Sequence, residues 1–245
     1  MIRRLLAAAA TLSLPLASTA CSNAEAGAPP PAKPAAAIDA AHPLVLELFQ
    51  SQGCSSCPPA NANLNALADR PDVIALSFAV TYWDRLGWKD RFAKPAFTAR
   101  QYAYAGSHHS DGVYTPQVVL NGRSALVGSD RAVLDRAIAA AGPVQGGPGL
   151  VRSGNTVRIA AASGQRGDVL LVTYDPRRRD VPISAGENSG RTLPHRNIVT
   201  DLRPLATWTG GAQTVPLPRL ADPALRRVVL IQQGSGGAIV ATLRV

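Results

Sequence analysis

The sequence predicts an α/β domain at residues 43–145, followed by a β-rich, sandwich-like module at residues 146–245. Strand and helix patterns alternate over residues 44–141, and this order is typical of α/β domains. A glycine-rich stretch at 146–149 then interrupts the chain, and no helical periodicity follows it. Short runs of β-branched residues between turn residues take over, which indicates about five to seven strands.

The α/β domain opens with an apolar run at 44–49, which predicts a buried strand, and residues 60–70 predict the helix that follows. A second run, 73–80, is rich in branched apolar residues and predicts a strand buried on both faces, as in a parallel sheet. Residues 94–106 predict the next helix, because Pro95 suits a first helical turn. The domain therefore begins with a strand–helix–strand–helix unit.

The remaining predicted elements are shorter. A strand at 118–120 is closed by the turn pair 121–122. Ser129 and Asp130 predict the start of a helix that runs to Ala141. In the β-rich module, residues 151–160 predict a hairpin with its turn at 153–155, and residues 228–245 predict a closing hairpin around 234–237. The extended segments predicted between them are 169–174 and 197–208.

The N-terminus predicts export. Two arginines near the start, an apolar stretch at 5–16 and small residues at 18–20 form a signal-peptide pattern over residues 1–20. The apolar stretch is too short for a permanent transmembrane helix. We therefore expect the protein in the periplasm or cell envelope.

The segment after the signal leaves two alternatives open. Cleavage after residue 20 would make Cys21 the first residue and a candidate lipid anchor, although Ser18 stands where such signals favour a large aliphatic residue. Cleavage near 24–26 would instead release a soluble protein. In both cases the Ala- and Pro-rich stretch 21–42 predicts an extended tether.

The charge pattern argues against nucleic-acid binding. The formal net charge is +9, and removing Arg3 and Arg4 leaves +7. Arginine is spread along the chain, with one dense run at 177–179, and no repeat combines basic and aromatic residues. The charge therefore indicates solubility or attraction to acidic surfaces.

Cys54 and Cys57, in the stretch 51–59 between the first strand and the first helix, are the candidate catalytic pair. The chain has three cysteines, and setting Cys21 aside leaves this C-x-x-C pair in a compartment where disulfides persist. A disulfide between Cys54 and Cys57 would close a very short loop and would therefore remove little entropy from the unfolded state. This favours a reactive pair over a structural one. We assign Cys54 as the more exposed, attacking thiol and Cys57 as the resolving thiol, since a helix N-terminus favours the thiolate.

A metal site is the competing interpretation of the cysteine pair. Zinc requires four protein ligands, or three and a water, and the histidine pair nearest in sequence is 108–109. Copper is compatible with two thiolates and an imidazole, but the only methionine is Met1. We predict no metal and no cofactor.

The proline pair 58–59 leaves the start of the first helix open. A helix that begins at Cys54 would lose hydrogen bonds to both prolines. A helix that begins at Cys57 would place the first proline where it fits well, but Cys54 would then lie outside the helix.

The segment 114–117 is the second candidate site, and it contains Thr115-Pro116 before a predicted strand. X-Pro bonds are ordinarily trans. Together with the cysteine pair, however, this loop makes the chain resemble the thioredoxin fold, in which a cis proline packs against two cysteines and presents backbone to an extended substrate. The resemblance implies that Thr115–Pro116 is cis, faces Cys54 and binds substrate.

A wider set of motifs resembles an uncharacterised family of secreted bacterial proteins, a domain-of-unknown-function family with a thioredoxin-like core. The resemblance spans most of residues 44–245 and implies a fold but no activity. The chain departs from the family pattern at Gln50, Asn61, Ala79 and Thr81. The matching segments are 47–49, 51–59, 82–84, 87–90, 100–101, 114–117, 186–188, 190–193 and 195–197.

Four further side chains are candidate site residues. Glu47 lies near where thioredoxin-like proteins keep a buried carboxylate, so we expect it to take the proton of the resolving thiol. The alternative is an inward Glu paired with a Lys or Arg. Trp83, Asp84 and Trp88 form the densest aromatic patch and are expected to wall the cysteine groove and bind a peptide, the alternative being that they cover the core edge. Residues 186–197 are expected to fold back over this groove.

Three functions remain open from the sequence. The first, which we favour, is an exported thiol–disulfide oxidoreductase acting on small thiols or cysteine-containing envelope proteins, or coupled to a membrane electron donor. The second is an envelope binding module whose disulfide is structural. The third is a thiol-based copper or zinc handling protein.

Overall fold

The computed structural model describes residues 37–245, which belong to one compact unit, Ala35–Val245. The predicted signal peptide, Cys21 and most of the predicted tether lie outside the described residues. No helix in the described part is long and apolar enough to cross a membrane.

The first half alternates strands and helices, as the sequence predicts. Pro58 and Pro95 begin the first two helices, where a missing N–H costs nothing. Asp130 caps the third by accepting a hydrogen bond from the Val133 N–H at 2.9 Å. The elements are β1 (Leu44–Gln50), α1 (Pro58–Leu67), β2 (Val73–Ala79), a 3₁₀ turn (Asp84–Leu86), α2 (Pro95–Ser107), β3 (Gln117–Leu120), β4 (Ser124–Leu126) and α3 (Arg131–Ala141).

The second half contains strands alone among its regular elements. The structure has nine strands here, more than the five to seven predicted. Three of them, Arg179–Pro182, Thr192–His195 and Gln213–Pro216, lie outside the predicted extended segments, because each is only four residues long. The elements are β5 (Leu150–Ser153), β6 (Thr156–Ile159), β7 (Gly167–Asp175), β8 (Arg179–Pro182), β9 (Thr192–His195), β10 (Ile198–Trp208), β11 (Gln213–Pro216), β12 (Arg226–Gln232) and β13 (Ile239–Arg244).

One mixed sheet of eight strands joins the two halves, in the order β13-β12-β7-β10-β2-β1-β3-β4. β2 is parallel to both β1 and β10, and the other neighbours are antiparallel. The structure differs here from the predicted sandwich-like module, since four strands after residue 146 extend the sheet of the first half. A small second sheet, β11-β6-β5, and the hairpin β8–β9 complete the fold.

The two faces of the sheet are covered by different elements. Successive residues of a strand point to opposite faces, so Val45 and Phe49 of β1 pack with α2. The intervening leucines, Leu46 and Leu48, pack with α1 and α3 on the other face. Beside β7 and β12 that other face is covered by the three-stranded sheet.

The large sheet curves around α2. Arg100 of α2 donates hydrogen bonds to Glu47 in β1, at 2.8 and 3.0 Å, and to Gln232 in β12, at 2.9 Å. Three strands separate β1 from β12, a distance of about 19 Å in a flat sheet at ordinary strand spacing. Because one guanidinium contacts both strands, α2 must lie in the concave face of a strongly curved sheet.

Candidate functional site

Cys54 and Cys57 form a disulfide between β1 and α1, with their Cα atoms 5.4 Å apart. The helix begins at Pro58, so Cys57 occupies its N-cap position and Cys54 lies outside it. Pro58 and Pro59 carry no N–H, so the first turn offers few donors to a thiolate. The helix therefore favours a thiolate at Cys54 less than the sequence pattern suggests.

Neither cysteine is accessible to solvent. Cys54 is 0% exposed and Cys57 is 1% exposed, whereas the two serines between them are exposed. The prediction that Cys54 is the more exposed member of the pair is wrong, because other parts of the chain pack over the loop. Thiol–disulfide exchange requires a thiolate to reach a sulfur atom, so this conformation does not permit it.

The loop over the cysteines is residues 183–191, between β8 and β9, which we call the cover segment. Asn188 in this segment is fully buried. Its Nδ2 donates hydrogen bonds to the carbonyl oxygens of Gln52, at 2.8 Å, and Cys54, at 2.9 Å. The cover segment is therefore fastened to the backbone of the cysteine loop itself, as expected for residues that fold back over the groove.

Further contacts hold the cover segment and its hairpin in place. The Glu187 carboxylate accepts a hydrogen bond from the Ser55 N–H at 3.1 Å. Hydrogen bonding by the Ser55 side chain, together with this N–H, lowers the pKa of the exposed Glu187 carboxyl. The Pro194 carbonyl in β9 accepts from the side-chain amides of Asn61, at 2.6 Å, and Asn65, at 2.9 Å. The hairpin is thus attached to α1 as well as to the cysteine loop.

The Thr115–Pro116 bond is cis, and its loop lies beside the cysteine loop. Ser56 Oγ lies 3.4 Å from the Thr115 carbonyl oxygen and 3.4 Å from Cys54 Sγ. Trp83 Nε1 donates to Thr115 Oγ1 at 2.7 Å. Thr115 is therefore connected to Cys54 through Ser56, and Trp83 is connected to the same loop through Thr115.

Gln101 of α2 fixes the approach to the cis proline. Its Nε2 donates to the Tyr114 carbonyl at 2.7 Å and to Gln117 Oε1 at 2.8 Å. Its own Oε1 accepts from the Tyr82 hydroxyl at 3.1 Å. One buried amide therefore connects α2 with residues on both sides of Thr115–Pro116.

The two predicted tryptophans flank the cysteine loop. Gly53 lies so close to Trp83 that a Cβ at this glycine would be 3.3 Å from the Trp83 Cβ. Trp88 Nε1 donates to Gln52 Oε1 at 2.9 Å. Asp84 instead accepts from the Asp90 N–H at 3.1 Å, so it braces the loop that carries Trp88.

Asp90 is a site residue for which the sequence pattern predicts no separate role. It is 2% exposed, and its carboxylate accepts from the Gln52 N–H at 2.8 Å and the Phe92 N–H at 2.9 Å. Burial raises the pKa of this carboxyl to about 6, against the effect of those two hydrogen bonds. Asp90 therefore holds the start of the cysteine loop with a group that titrates near neutrality.

His195 is a second buried titratable group, at the end of β9. It is 1% exposed, and its Nδ1 lies 3.3 Å from Asn61 Nδ2. Within the described residues its Nε2 has no hydrogen-bond partner. Burial, reinforced by nearby Arg91, lowers the pKa of the ring to about 4, so His195 is neutral at pH 7.

Glu47 does not lie where the predicted proton transfer requires it. It is fully buried on the face of β1 that packs against α2, whereas α1, which Cys57 caps, packs on the opposite face. Its carboxylate accepts from Arg100 and from the Tyr104 hydroxyl. The structure thus shows the alternative interpretation, an inward Glu paired with an Arg, and places no contact between Glu47 and the cysteines.

Over residues 37–245 no three His, Cys, Asp or Glu side chains are grouped so that they could hold a metal ion.

The fold and the site define a mixed α/β, β-rich protein with one large sheet, few helices and a buried C-x-x-C disulfide. Residues 45–232 match the family described as "Protein of unknown function (DUF1223)", and the chain belongs to this family. The resemblance to an uncharacterised family is thereby confirmed.

Two solved structures are similar to this chain. The crystal structure of protein AGR_C_4864 from Agrobacterium tumefaciens is 32% identical with a TM-score of 0.66, over 82% of this chain and 93% of that one. HBP35 of Porphyromonas gingivalis is 13% identical with a TM-score of 0.58, over 83% of this chain and 74% of that one, and so shares the fold alone. No curated protein matches the sequence.

Proposed function

We propose that this chain is an exported thiol–disulfide oxidoreductase that uses Cys54 and Cys57. Its substrates are small thiols or cysteine-containing proteins of the cell envelope. Its electrons come from such thiols or from a membrane donor. Cys21 is its candidate lipid anchor. The observation that carries the proposal is an oxidised C-x-x-C pair beside a cis Thr115–Pro116 loop.

The arrangement of the first half supports a thioredoxin-like core at residues 43–145. The strand order β2-β1-β3-β4, with β1 and β2 parallel and β3 and β4 antiparallel to their neighbours, is the order of that fold. The helices that follow β1, β2 and β4 lie on alternate faces, again as in that fold.

The oxidised pair accepts two electrons in this scheme. A substrate thiolate attacks Cys54 Sγ, the Cys54–Cys57 bond breaks, and Cys57 leaves as a thiolate that takes a proton from solvent. A second substrate thiolate then attacks the substrate sulfur of the mixed disulfide, and Cys54 leaves as a thiolate. The substrate dithiol becomes a disulfide and the cysteine pair becomes reduced.

The cover segment must move before the first step. Both sulfur atoms are buried, and the contacts of Asn188 with Gln52 and Cys54 close the loop. Binding of an extended substrate along Thr115–Pro116 would replace the Ser56 contact with the Thr115 carbonyl. We therefore propose that substrate binding and displacement of the cover segment occur together.

Trapping of mixed disulfides tests the function. In Cys57→Ser the Cys54 thiolate attacks a substrate disulfide, which is the reverse of the second step above, and one substrate thiolate leaves. No resolving thiol then follows, so this variant should retain substrates as mixed disulfides, whereas Cys54→Ser should retain none. The same samples should be assayed for insulin reduction in the presence of dithiothreitol. The proposal is contradicted if Cys57→Ser traps no envelope protein and the wild type does not reduce insulin.

The burial of both cysteines favours a second candidate function, a binding module whose disulfide is structural. The reduction potential separates the two. A value below about −300 mV identifies a disulfide that resists exchange and supports the binding module, whereas a higher value supports the oxidoreductase.

A further inference from the structure

A cleft of about 350 Å³ lies at one end of β7, β10 and β12. Leu171 and Thr173 of β7 line it together with Arg227 of β12, which is paired with Thr173 in the sheet. Val229 lies on the same face of β12 as Arg227, and it packs on the side of the sheet away from α2. α1 packs on that side of the sheet too, but no residue of the cysteine loop, the cover segment or the other positions assigned above lines the cleft, so it is a separate site.

Arg227 is the unusual residue of this cleft. It is 8% exposed, its Nη1 donates to the Pro218 carbonyl at 2.6 Å, and its Nε is buried without a hydrogen-bond partner in the described chain. No salt bridge joins it to any described carboxylate. Burial and nearby Arg152 lower the pKa of its guanidinium, and no carboxylate offsets these two effects. An unpaired buried cation is costly, and an anion beside it would relieve that cost.

The other charged groups of the cleft reinforce this preference. Arg219 lies in the wall and forms no salt bridge within residues 37–245, and the Lys94 ammonium donates to the Thr200 carbonyl. The only carboxylate in the lining, Asp201, is already paired with Arg203 at 2.7 Å. Cations thus outnumber carboxylates, and the potential in the cleft attracts anions.

The shape and apolar lining narrow the ligand class. Leu171, Leu220 and Leu225 provide an apolar surface next to the cationic groups. The volume is at the low end for small-molecule sites. We propose that this cleft binds a small organic carboxylate, with its carboxylate on Arg227 and Arg219 and a short aliphatic body against Leu171 and Leu220. The proposal is independent of the cysteine chemistry.

Titration with hexanoate, followed by two-dimensional ¹H–¹⁵N NMR of the isotope-labelled protein, tests this site. Wild-type protein should show saturable shifts at the amides of Thr173 and Leu220, with a dissociation constant of about 1 mM or below. Hexanol, which has the same body without the charge, should produce no saturable shift. Inorganic phosphate should bind more weakly than hexanoate because it cannot use the leucines.

Variants assign the binding to the guanidinium groups. Arg227→Gln should weaken hexanoate affinity about tenfold or more, and Arg227→Lys should weaken it less because the charge remains. Arg136→Gln, an equal loss of charge on the exposed face of α3, should leave the affinity unchanged. If Arg227→Gln does not fold, exposed Arg219→Gln serves in its place and should also weaken binding.

Three results would overturn the proposal. They are no saturable shift with hexanoate up to about 10 mM, equal binding of hexanol, and unchanged affinity in the Arg227→Gln or Arg219→Gln variant. Binding of phosphate without binding of hexanoate is a case of the first result, and it would show that the leucines play no part.

Discussion

Asp90, which contacts the cysteine loop, and His195, which contacts α1, are both buried, and burial shifts their pKa values in opposite directions. The Asp90 pKa is raised to about 6, so its folded state holds a proton that the unfolded chain releases near pH 4. Its contribution to the free energy of unfolding is therefore complete below pH 4 and is lost as the pH rises through 6. The His195 pKa is lowered to about 4, so its contribution is complete above about pH 6.5 and is lost as the pH falls through 4.

Because the two effects are opposite, replacing either residue should expose the pH dependence of stability that the other residue causes. The two pKa shifts each correspond to about 3 kcal/mol, and they largely offset one another in the wild type between about pH 4 and 6.5. As the pH rises from about 4 to 7, the free energy of unfolding of His195→Gln should fall by about 3 kcal/mol relative to that of wild type. That of Asp90→Asn should rise by about the same amount relative to wild type over this range. Urea unfolding at several pH values measures both. A difference from wild type that does not change with pH would contradict the prediction.

Ser56 carries a prediction about the redox chemistry. Its hydroxyl has one proton, which in the oxidised protein points to the Thr115 carbonyl, and the Cys54 sulfur is equally near. After reduction the same proton can be donated to a Cys54 thiolate, which stabilises the reduced state. Ser56→Ala should therefore make the reduction potential more negative by on the order of 20–30 mV.

Equilibration with glutathione buffers measures this shift. Ser153→Ala, which removes an exposed hydroxyl in β5, is the matched control and should leave the potential unchanged. A potential that is equal in Ser56→Ala and wild type would show that the hydroxyl does not contact the thiolate.

The cover segment is the element that decides access to the disulfide. Asn188→Ala removes two buried hydrogen bonds to the cysteine loop, which together stabilise the closed conformation by about 2 kcal/mol. We expect this variant to be reduced by dithiothreitol at least about tenfold faster than wild type. The rate is measured by mass spectrometry after alkylation of free thiols.

The adjacent residue offers a close control for the cover segment. Ser189 is exposed, so Ser189→Ala should react at the wild-type rate. If Asn188→Ala and wild type are reduced equally fast, the cover segment is not the barrier and access to the disulfide is controlled elsewhere.

The success of the sequence predictions at this scale depended on local signals. Pro95 and Asp130 marked helix starts correctly because first-turn and capping preferences involve only near neighbours. The burial of Cys54 could not be read in this way. It depends on Asn188, whose amide contacts carbonyls that lie more than 130 residues away along the chain, and no periodicity encodes such a contact.

For the whole molecule, the buried cluster around α2 connects strands from both halves. Glu47 and Arg100 are paired in a fully buried site that Gln232 of β12 completes. Glu47→Gln leaves the guanidinium without its carboxylate and should lower the free energy of unfolding by about 3–5 kcal/mol. Under native conditions the folded variant should exchange disulfides at the wild-type rate, because Glu47 lies on the other face of β1 from α1.

Denaturant unfolding and dithiothreitol reduction of the same variant test both parts. A normal stability with a slower exchange rate and an altered pH profile would restore Glu47 as the proton acceptor of Cys57.

The sequence could predict strands but not their partners across the molecule. Alternating apolar residues fix which face of a strand is buried, and the predicted segments 169–174 and 197–208 correspond to β7 and β10. The junction with the first half depends on the pairing of Ile198 with Ser77, a single long-range register. Alternation is the same for a strand in a separate sandwich and for one that extends an existing sheet. The sequence therefore could not show that strands after residue 146 join the sheet of the first half.

The cover segment also sets an order of events in the life of the chain. Ribosomes make the cysteine loop well over a hundred residues before they make residues 183–191. Until the hairpin β8–β9 folds against α1, the two thiols are open to any oxidant they meet. The bond between Cys54 and Cys57 is therefore best made before residues 183–191 pack over it, and the folding of the hairpin then closes over a bond that is already formed.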